Sequence, residues 1–335
     1  MISSQSHRLA SGGLIDRSAP LNFRFDGKTF AGFQGDTLAS ALIANGVKLV
    51  GRSFKYHRPR GILTSGSEEP NALVELRTGA RREPNTKATT AELYDGLEAA
   101  SQNRWPSLRH DLMAVNQLFS PIFVAGFYYK TFMWPAKFWE AIYEPAIRRA
   151  AGLGRAGTAA DTARYERMNA FCDVLVVGSG PAGLMAAKAA ADQGARVILS
   201  ELEPRFGGSA NWSGETIDGM PGADWAARAA GQLEGYDNVR LLPRTTVWGY
   251  YDGNVLAALE RVTDHKERPG KGEPRHRYWV IRAKSVVLAT GSFERPLVFP
   301  GNDRPGVMLA HAAERYTNEY GVLPGHRIAL FTNND

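Results

Sequence analysis

The chain has 335 residues, 44% of them hydrophobic and 22% charged, with a formal net charge of +6 and a single cysteine. That length supplies core for two or three domains, and the composition is that of a globular protein. One cysteine, Cys172, excludes an internal disulfide, a thiolate-ligated metal site and a redox-active cysteine pair, and it fits a reducing, cytoplasmic setting.

Residues 1–18 are polar, have no apolar signal core and are expected to form a flexible tail. From Asn22 to Phe33 apolar residues alternate on two arms around Asp26-Gly27, the pattern of a hairpin with a two-residue turn. Asp36 is placed to cap a helix over 37–45, with Gly46 just past its end. Ala72 to Leu76 reads as another strand. Strand, strand, helix, loop and strand make residues 19–100 a β-grasp, ferredoxin-like domain. In ferredoxins of that architecture the loop after the helix carries cysteines for a two-iron cluster. The loop here, Gly51 to Ile62, has none, so a domain without an iron–sulfur cluster is expected. It carries the one basic cluster of the chain, Arg52, Lys55, His57, Arg58 and Arg60. No nucleic-acid module accompanies it, and the better reading is a solvated or interface loop.

Residues 101–165 form an aromatic-rich connector. Leu118 to Tyr129 is strongly apolar but shorter than the about 20 residues that span a bilayer. A helical hairpin packed on another surface is expected, with no membrane partner. A Gly- and Ala-rich stretch from Ala150 to Ala163 leads into a dinucleotide-binding domain over 166–335.

That domain opens on the most informative stretch of the chain. Val174 to Val177 reads as a buried strand. It runs into G-x-G-x-x-G at Gly178, Gly180 and Gly183, followed by a helix-forming run from Leu184 to Ala191. Gly178 serves the tight turn, Gly180 the approach of a pyrophosphate, and Gly183 close helix–strand packing. The exposed N–H groups at the helix start hold the anion. Val197 to Ser200 is the second strand. Glu201 follows, about 20 residues beyond the glycines, where an acid accepts hydrogen bonds from an adenosine ribose. Gly207-Gly208-Ser209 comes next. A helix from Asp224 to Gln232, a third strand from Val239 to Leu242 and a β-meander complete the half. Ala289-Thr290-Gly291, then Arg295-Pro296, supplies a second signature of this nucleotide fold, with Gly291 close to the cofactor. Arg327 to Phe331 reads as the start of another buried strand, which implies a chain cut inside a longer protein. Overall the fold class is α/β: an FAD/NAD(P)-binding Rossmann-like domain of the two-dinucleotide-binding-domain type, preceded by the β-grasp domain.

Several blocks are idiosyncratic: Arg52-Ser53-Phe54-Lys55-Tyr56-His57-Arg58-Pro59-Arg60-Gly61, Glu83-Pro84-Asn85, Glu92-Leu93-Tyr94-Asp95-Gly96 and Asn103-Arg104-Trp105-Pro106-Ser107. With the nucleotide motifs they make residues 15–335 resemble the α subunits of heterotetrameric sarcosine oxidases, a family with relatives acting on opines and other secondary amines. The resemblance implies a division of labour. The α subunit holds a non-reacting NAD. FAD in the β subunit takes a hydride from the N-methyl amine, and FMN between α and β passes electrons to oxygen, giving hydrogen peroxide. A folate domain of α captures the methylene group on tetrahydrofolate. Partners are then the β, γ and δ subunits, and the isolated chain is expected to be inactive. Carried over motif by motif, Gly178, Gly180, Ala182 and Gly183 lie at the pyrophosphate. Glu201, Leu202 and Glu203 lie at the adenosine ribose, Ser209 follows the glycine pair, and Val247 lies beside the adenine. Glu201 favours NAD over NADP, since a 2′-phosphate would meet its charge. No residue is assigned as catalytic and none as a metal ligand; His57 and His311 are read as structural. Two other readings stand beside this one: a self-contained FAD enzyme of the disulfide-reductase type, which the missing cysteine pair disfavours, and a non-catalytic scaffold holding a structural nucleotide.

Overall fold

A computed structural model describes residues 5–121, 126 and 132–333. The chain divides into two units, one comprising 1–161 and 294–335, the other Thr162–Phe293.

The first unit is built on a five-stranded sheet. Strands β1 (Asp16–Phe25) and β2 (Lys28–Gln34) form the expected hairpin. Asp26 and Gly27, with φ of 48° and 78°, make the turn, the left-handed pair that matches strand twist. Short strands β3 (Gly51–Arg52) and β4 (Pro59–Arg60) pair with each other. Strands β5 (Leu73–Leu76), β6 (Glu83–Lys87) and β7 (Leu97–Ser101) complete the main sheet in the order β2-β1-β7-β5-β6, with β7 parallel to β1. Helix α1 (Leu38–Ala44) is buried along its whole length. Its cap is Thr37, in a reciprocal box with Ser40, rather than Asp36. Asp36 instead takes Arg8 at 2.6 and 3.1 Å and the Ser40 hydroxyl.

Three further expectations fail in this unit. The described part of the tail is tied down: Arg8 also donates to the Tyr320 carbonyl, and the Leu9 N–H to the Gly321 carbonyl. And residues 294–335, expected in the nucleotide domain, group with the first unit. Ala312 and Tyr316, one turn apart on a C-terminal helix (Ala310–Asn318), lie in one core with Phe23, Leu38, Leu42 and Leu97. The Tyr316 hydroxyl donates to the Thr64 carbonyl at 2.9 Å. The stretch 327–331 forms no strand, and Ile328, Leu330 and Phe331 are exposed.

The connector shows a 3-10 helix, Leu112–Phe119, and a π-helical turn, Trp139–Tyr143, that runs into helix α2 (Glu144–Ala150). Leu118 and Trp134 are 79% and 83% exposed. Part of the expected hairpin, 122–125 and 127–131, lies outside the described residues. Among the described residues no helix is long and apolar enough to cross a membrane.

The second unit holds a six-stranded sheet. Strand β8 (Tyr165–Val177) lies between β9 (Val197–Ser200) and the last strand of the sheet in chain order, His276–Leu288, all parallel. Strands β10 (Thr216–Ile217) and β11 (Met220–Pro221) form a separate hairpin. Strand β12 (Val239–Leu242) is parallel to β9, while β13 (Thr245–Tyr251), β14 (Val255–Arg261) and β15 (His276–Leu288) form the antiparallel meander. β15 is one continuous strand, and twelve of its residues pair with β8. Helices α3 (Pro181–Asp192) and α4 (Gly222–Glu234) cover one face through Leu184, Ala187, Trp225 and Leu233 against Val176 and Leu199. The other face packs Leu175, Ile198, Leu256 and Ile281 around Cys172. Burial, helped by the Asp173 charge, pushes the Cys172 thiol up to about 11, so it is an inert core residue.

Candidate dinucleotide site

Three loops meet at the carboxyl ends of β8 and β9. The first is the glycine loop. Gly178 has φ of +95°, and a Cβ there would sit 2.3 Å from the Ala289 carbonyl oxygen. A Cβ on Gly183 would sit 1.9 Å from the Gly178 carbonyl oxygen. Both positions are closed to any side chain. Gly180 differs: its φ is −59° and nothing lies within 4 Å of where its Cβ would be. The packing therefore requires glycine at 178 and 183, and leaves a clear approach at 180. That is the arrangement a pyrophosphate needs.

Gly180 also begins α3. The first helical hydrogen bond runs from Leu184 N–H to the Gly180 carbonyl. Pro181 has no N–H, so the Ala182 and Gly183 N–H groups stand at the positive end of a twelve-residue helix. Ala182 is exposed there.

The second loop begins at Glu201, which is buried at the end of β9. Its Oε2 accepts the Ser179 N–H at 2.9 Å and the Ser179 hydroxyl, and its Oε1 accepts the Glu203 N–H at 2.9 Å. Each carboxylate oxygen has two lone pairs, so Oε1 retains capacity for one more donor, such as a ribose hydroxyl. The Leu202 carbonyl is held by Arg261 at 2.8 Å, and the Glu203 carbonyl by the Arg244 N–H.

The third loop is Gly207-Gly208-Ser209, with φ of 126° and 53° at the two glycines. The Gly207 N–H donates to both the carbonyl and the hydroxyl of Ser179, at 3.0 and 3.1 Å. Gly208 lies against Gly180: a Cβ at 208 would be 3.0 Å from the Gly180 Cα. Ser209 is exposed.

The structure thus brings Gly178, Gly180, Ala182, Gly183, Glu201, Leu202, Glu203 and Ser209 to one end of the sheet. Val247 is on β13, which starts beside them: the Thr245 N–H donates to the Glu201 carbonyl at 2.7 Å, and Ser200 Oγ to the Thr245 carbonyl. Val247 itself packs on the Leu242–Leu256 face of the core. Ala289 and Thr290 press on Gly178, and Gly291 is exposed two residues beyond Ala289 with open space at its Cβ position. The residue that sequence reasoning missed is Ser179. It is fully buried and joins all three loops. Its one sequence signal is a hydroxyl between the first two glycines.

The two histidines are not at this site. In the first unit, His57 is 3% exposed and its Nδ1 is 2.6 Å from Asp111 Oδ2. Arg52 donates to the carbonyls of Leu108, Arg109 and His57. Arg52 therefore ties the basic loop to residues 108–109, while Arg58 and Arg60 pair with Asp303. His311 is exposed.

Comparison with known proteins follows the same division. Residues 173–230 match an FAD binding domain, and residues 18–104 match a 2Fe-2S iron-sulfur cluster binding domain. The sarcosine oxidase α subunit of Rhizobium meliloti (strain 1021) is 58% identical over 330 residues, which cover 98% of this chain and 33% of that protein. The chain is a relative of sarcosine oxidase α subunits. It spans about a third of their length. An opine oxidase subunit of Agrobacterium tumefaciens (strain Ach5) is 33% identical over 48% of this chain and 32% of its own. Among solved structures, L-proline dehydrogenase from P. horikoshii superposes with a TM-score of 0.61 at 21% identity, covering 96% of this chain and 50% of that one, which shows a shared fold.

The segment matching the 2Fe-2S domain contains no cysteine, because Cys172 is the one cysteine of the chain. The residues present do not fit a thiolate-ligated cluster. The glycine loop, by contrast, fits a dinucleotide: the open space at Gly180 is a cradle that a Cβ would fill.

Proposed function

We propose that this chain is the nucleotide-holding part of the α subunit of a heterotetrameric sarcosine oxidase, and that its Gly178–Gly183 loop binds NAD. The observation that carries the reading is 58% identity along 98% of the chain to a sarcosine oxidase α subunit, joined to a phosphate cradle left open at Gly180. The chain's own residues bind and orient: helix α3 offers Ala182 and Gly183 N–H groups to the pyrophosphate, and Glu201 Oε1 accepts from the ribose. Glu201 opposes a 2′-phosphate, which favours NAD over NADP. No side chain near the glycine loop is assigned to proton or hydride transfer. The redox chemistry is assigned to FAD held by the β subunit, with FMN at the α–β interface. In the full complex sarcosine is oxidatively demethylated to glycine, oxygen is reduced to hydrogen peroxide and the methylene group is passed to tetrahydrofolate. The β, γ and δ subunits are the partners, and the complex is cytoplasmic.

Opine oxidation is the second reading, since an opine oxidase subunit is 33% identical over 48% of the chain. Similarity to the sarcosine oxidase subunit extends over twice that share, which favours the first. Coexpression of the complete α subunit with β, γ and δ separates them: sarcosine-dependent peroxide formation is expected. Activity on an opine with none on sarcosine would transfer the assignment.

A further inference from the structure

The first unit matches a 2Fe-2S domain over residues 18–104 and has no thiolate to bind metal with, so something other than a cluster must hold its loops. The stretch that continues from the Gly51–Ile62 loop, running from Gly61 into β5, is gathered on Glu69. Its side chain is 1% exposed. Oε2 accepts the N–H of Leu63 at 3.0 Å, the N–H of Thr64 at 2.6 Å and the Thr64 hydroxyl at 3.0 Å. Oε1 accepts the N–H of Asn71 at 2.7 Å and of Ala72 at 3.0 Å. Five donors from both ends of the loop converge on one buried anion.

A buried carboxylate is stable only when its lone pairs are satisfied. Conversely, four backbone N–H groups pointing inward need an acceptor-only group at their focus. In an iron–sulfur domain the sulfurs of the cluster and its cysteines are such acceptors. We propose that the Glu69 carboxylate has replaced a cluster as the anion on which the loop Leu63–Ala72 folds, so that this domain is an anchor with no redox centre.

The groups around it agree with a fixed structural role. The Tyr316 hydroxyl donates to the Thr64 carbonyl, Arg315 to the Ser65 carbonyl at 3.2 Å, Lys87 to the Ser67 carbonyl, and the Thr89 hydroxyl to the Gly66 carbonyl at 2.7 Å. Burial, together with the Glu69 charge, holds the Tyr316 phenol well above its usual range, so it stays a donor. The carbonyls of residues 64–67 are thus satisfied by side chains outside the loop, and the N–H groups of Leu63, Thr64, Asn71 and Ala72 by Glu69 within it.

The test is made on the full chain. Iron and acid-labile sulfide are assayed after anaerobic purification, and melting is followed with and without EDTA. The wild type is expected to carry no iron and to melt at the same temperature in both. Glu69→Gln turns one oxygen into an amide that faces N–H donors. Losing two or three charge-assisted bonds should lower the melting temperature by about 10 °C. The neighbouring Glu68→Gln, at a partly exposed carboxyl, should melt with the wild type. If Glu69→Gln does not fold, Glu69→Asp keeps the charge but lacks the reach to both ends of the loop, and a smaller fall is expected. A Gln or Asp variant that melts with the wild type overturns the proposal, as does stoichiometric iron and sulfide.

Discussion

Gly180 and Gly183 belong to the same motif, yet the structure gives them opposite responses to a single methyl. In Gly180→Ala the backbone is already in a conformation open to any residue, at φ −59°, and the methyl enters empty space. The folding cost should lie within the ±0.5 kcal/mol of an ordinary surface change. The bound pyrophosphate, however, would occupy that space. Displacing it breaks one or two charge-assisted hydrogen bonds, worth about 1.5–3 kcal/mol each. A loss of about 3 kcal/mol in binding is roughly a hundredfold in affinity. In Gly183→Ala the methyl would sit 1.9 Å from the Gly178 carbonyl oxygen, so α3 must move off β8 and stability falls with binding. Calorimetric titration of the nucleotide-free chain with NAD, paired with thermal melts, reads both effects. The expected result is a Gly180→Ala variant that melts with the wild type and binds about a hundredfold more weakly. Wild-type affinity in Gly180→Ala would refute the placement of the pyrophosphate. A large loss of stability would refute the open space.

Two further outcomes follow from the two cores. Burial raises the Asp264 carboxyl, but hydrogen bonds from His276 and Arg275 outweigh it and hold the group down to about 2 from 3.8. The folded value is depressed, so its contribution, on the order of 2 kcal/mol, is present above pH 4 and lost as pH falls from 4 through about 2. Asp264→Asn should flatten acid unfolding in that window, and an unchanged acid limb would contradict it. In the first unit, Tyr316→Phe removes the hydroxyl bonded to Thr64 without changing shape. A loss of about 1–2 kcal/mol in denaturant unfolding is expected, whereas no loss would contradict the packing of 310–322 in that core.

The nucleotide half is readable because its information is local. Strand, glycine turn, helix and second strand follow one another within thirty residues, and each glycine has a steric reason visible in the motif. The hairpin around Asp26-Gly27 is legible for the same reason. What the sequence conceals is carried by contacts between distant positions. Ser179 looks like a spacer between glycines, and its bonds to Glu201 and Gly207 emerge only when three loops meet. The return of Tyr316 to the core of Phe23 joins residues almost 300 positions apart, which no periodicity encodes. Arg8 is hidden in a polar tail because its partner Asp36 has the pattern of a helix cap. The segment 327–331 has the composition of a strand, but a strand needs a neighbour for its N–H and C=O groups, and no strand pairs with it among the described residues.

The identity of the nucleotide tests the account most directly, because this chain is similar both to an FAD binding domain and to subunits named for sarcosine oxidation. The complete α subunit of the proposed complex is separated from the other subunits without denaturation, then denatured, and the released nucleotide is identified by mass and absorbance. The account predicts about one NAD per chain and no flavin absorbance in the visible range. FAD released from this chain, or no adenine dinucleotide at all, would contradict it.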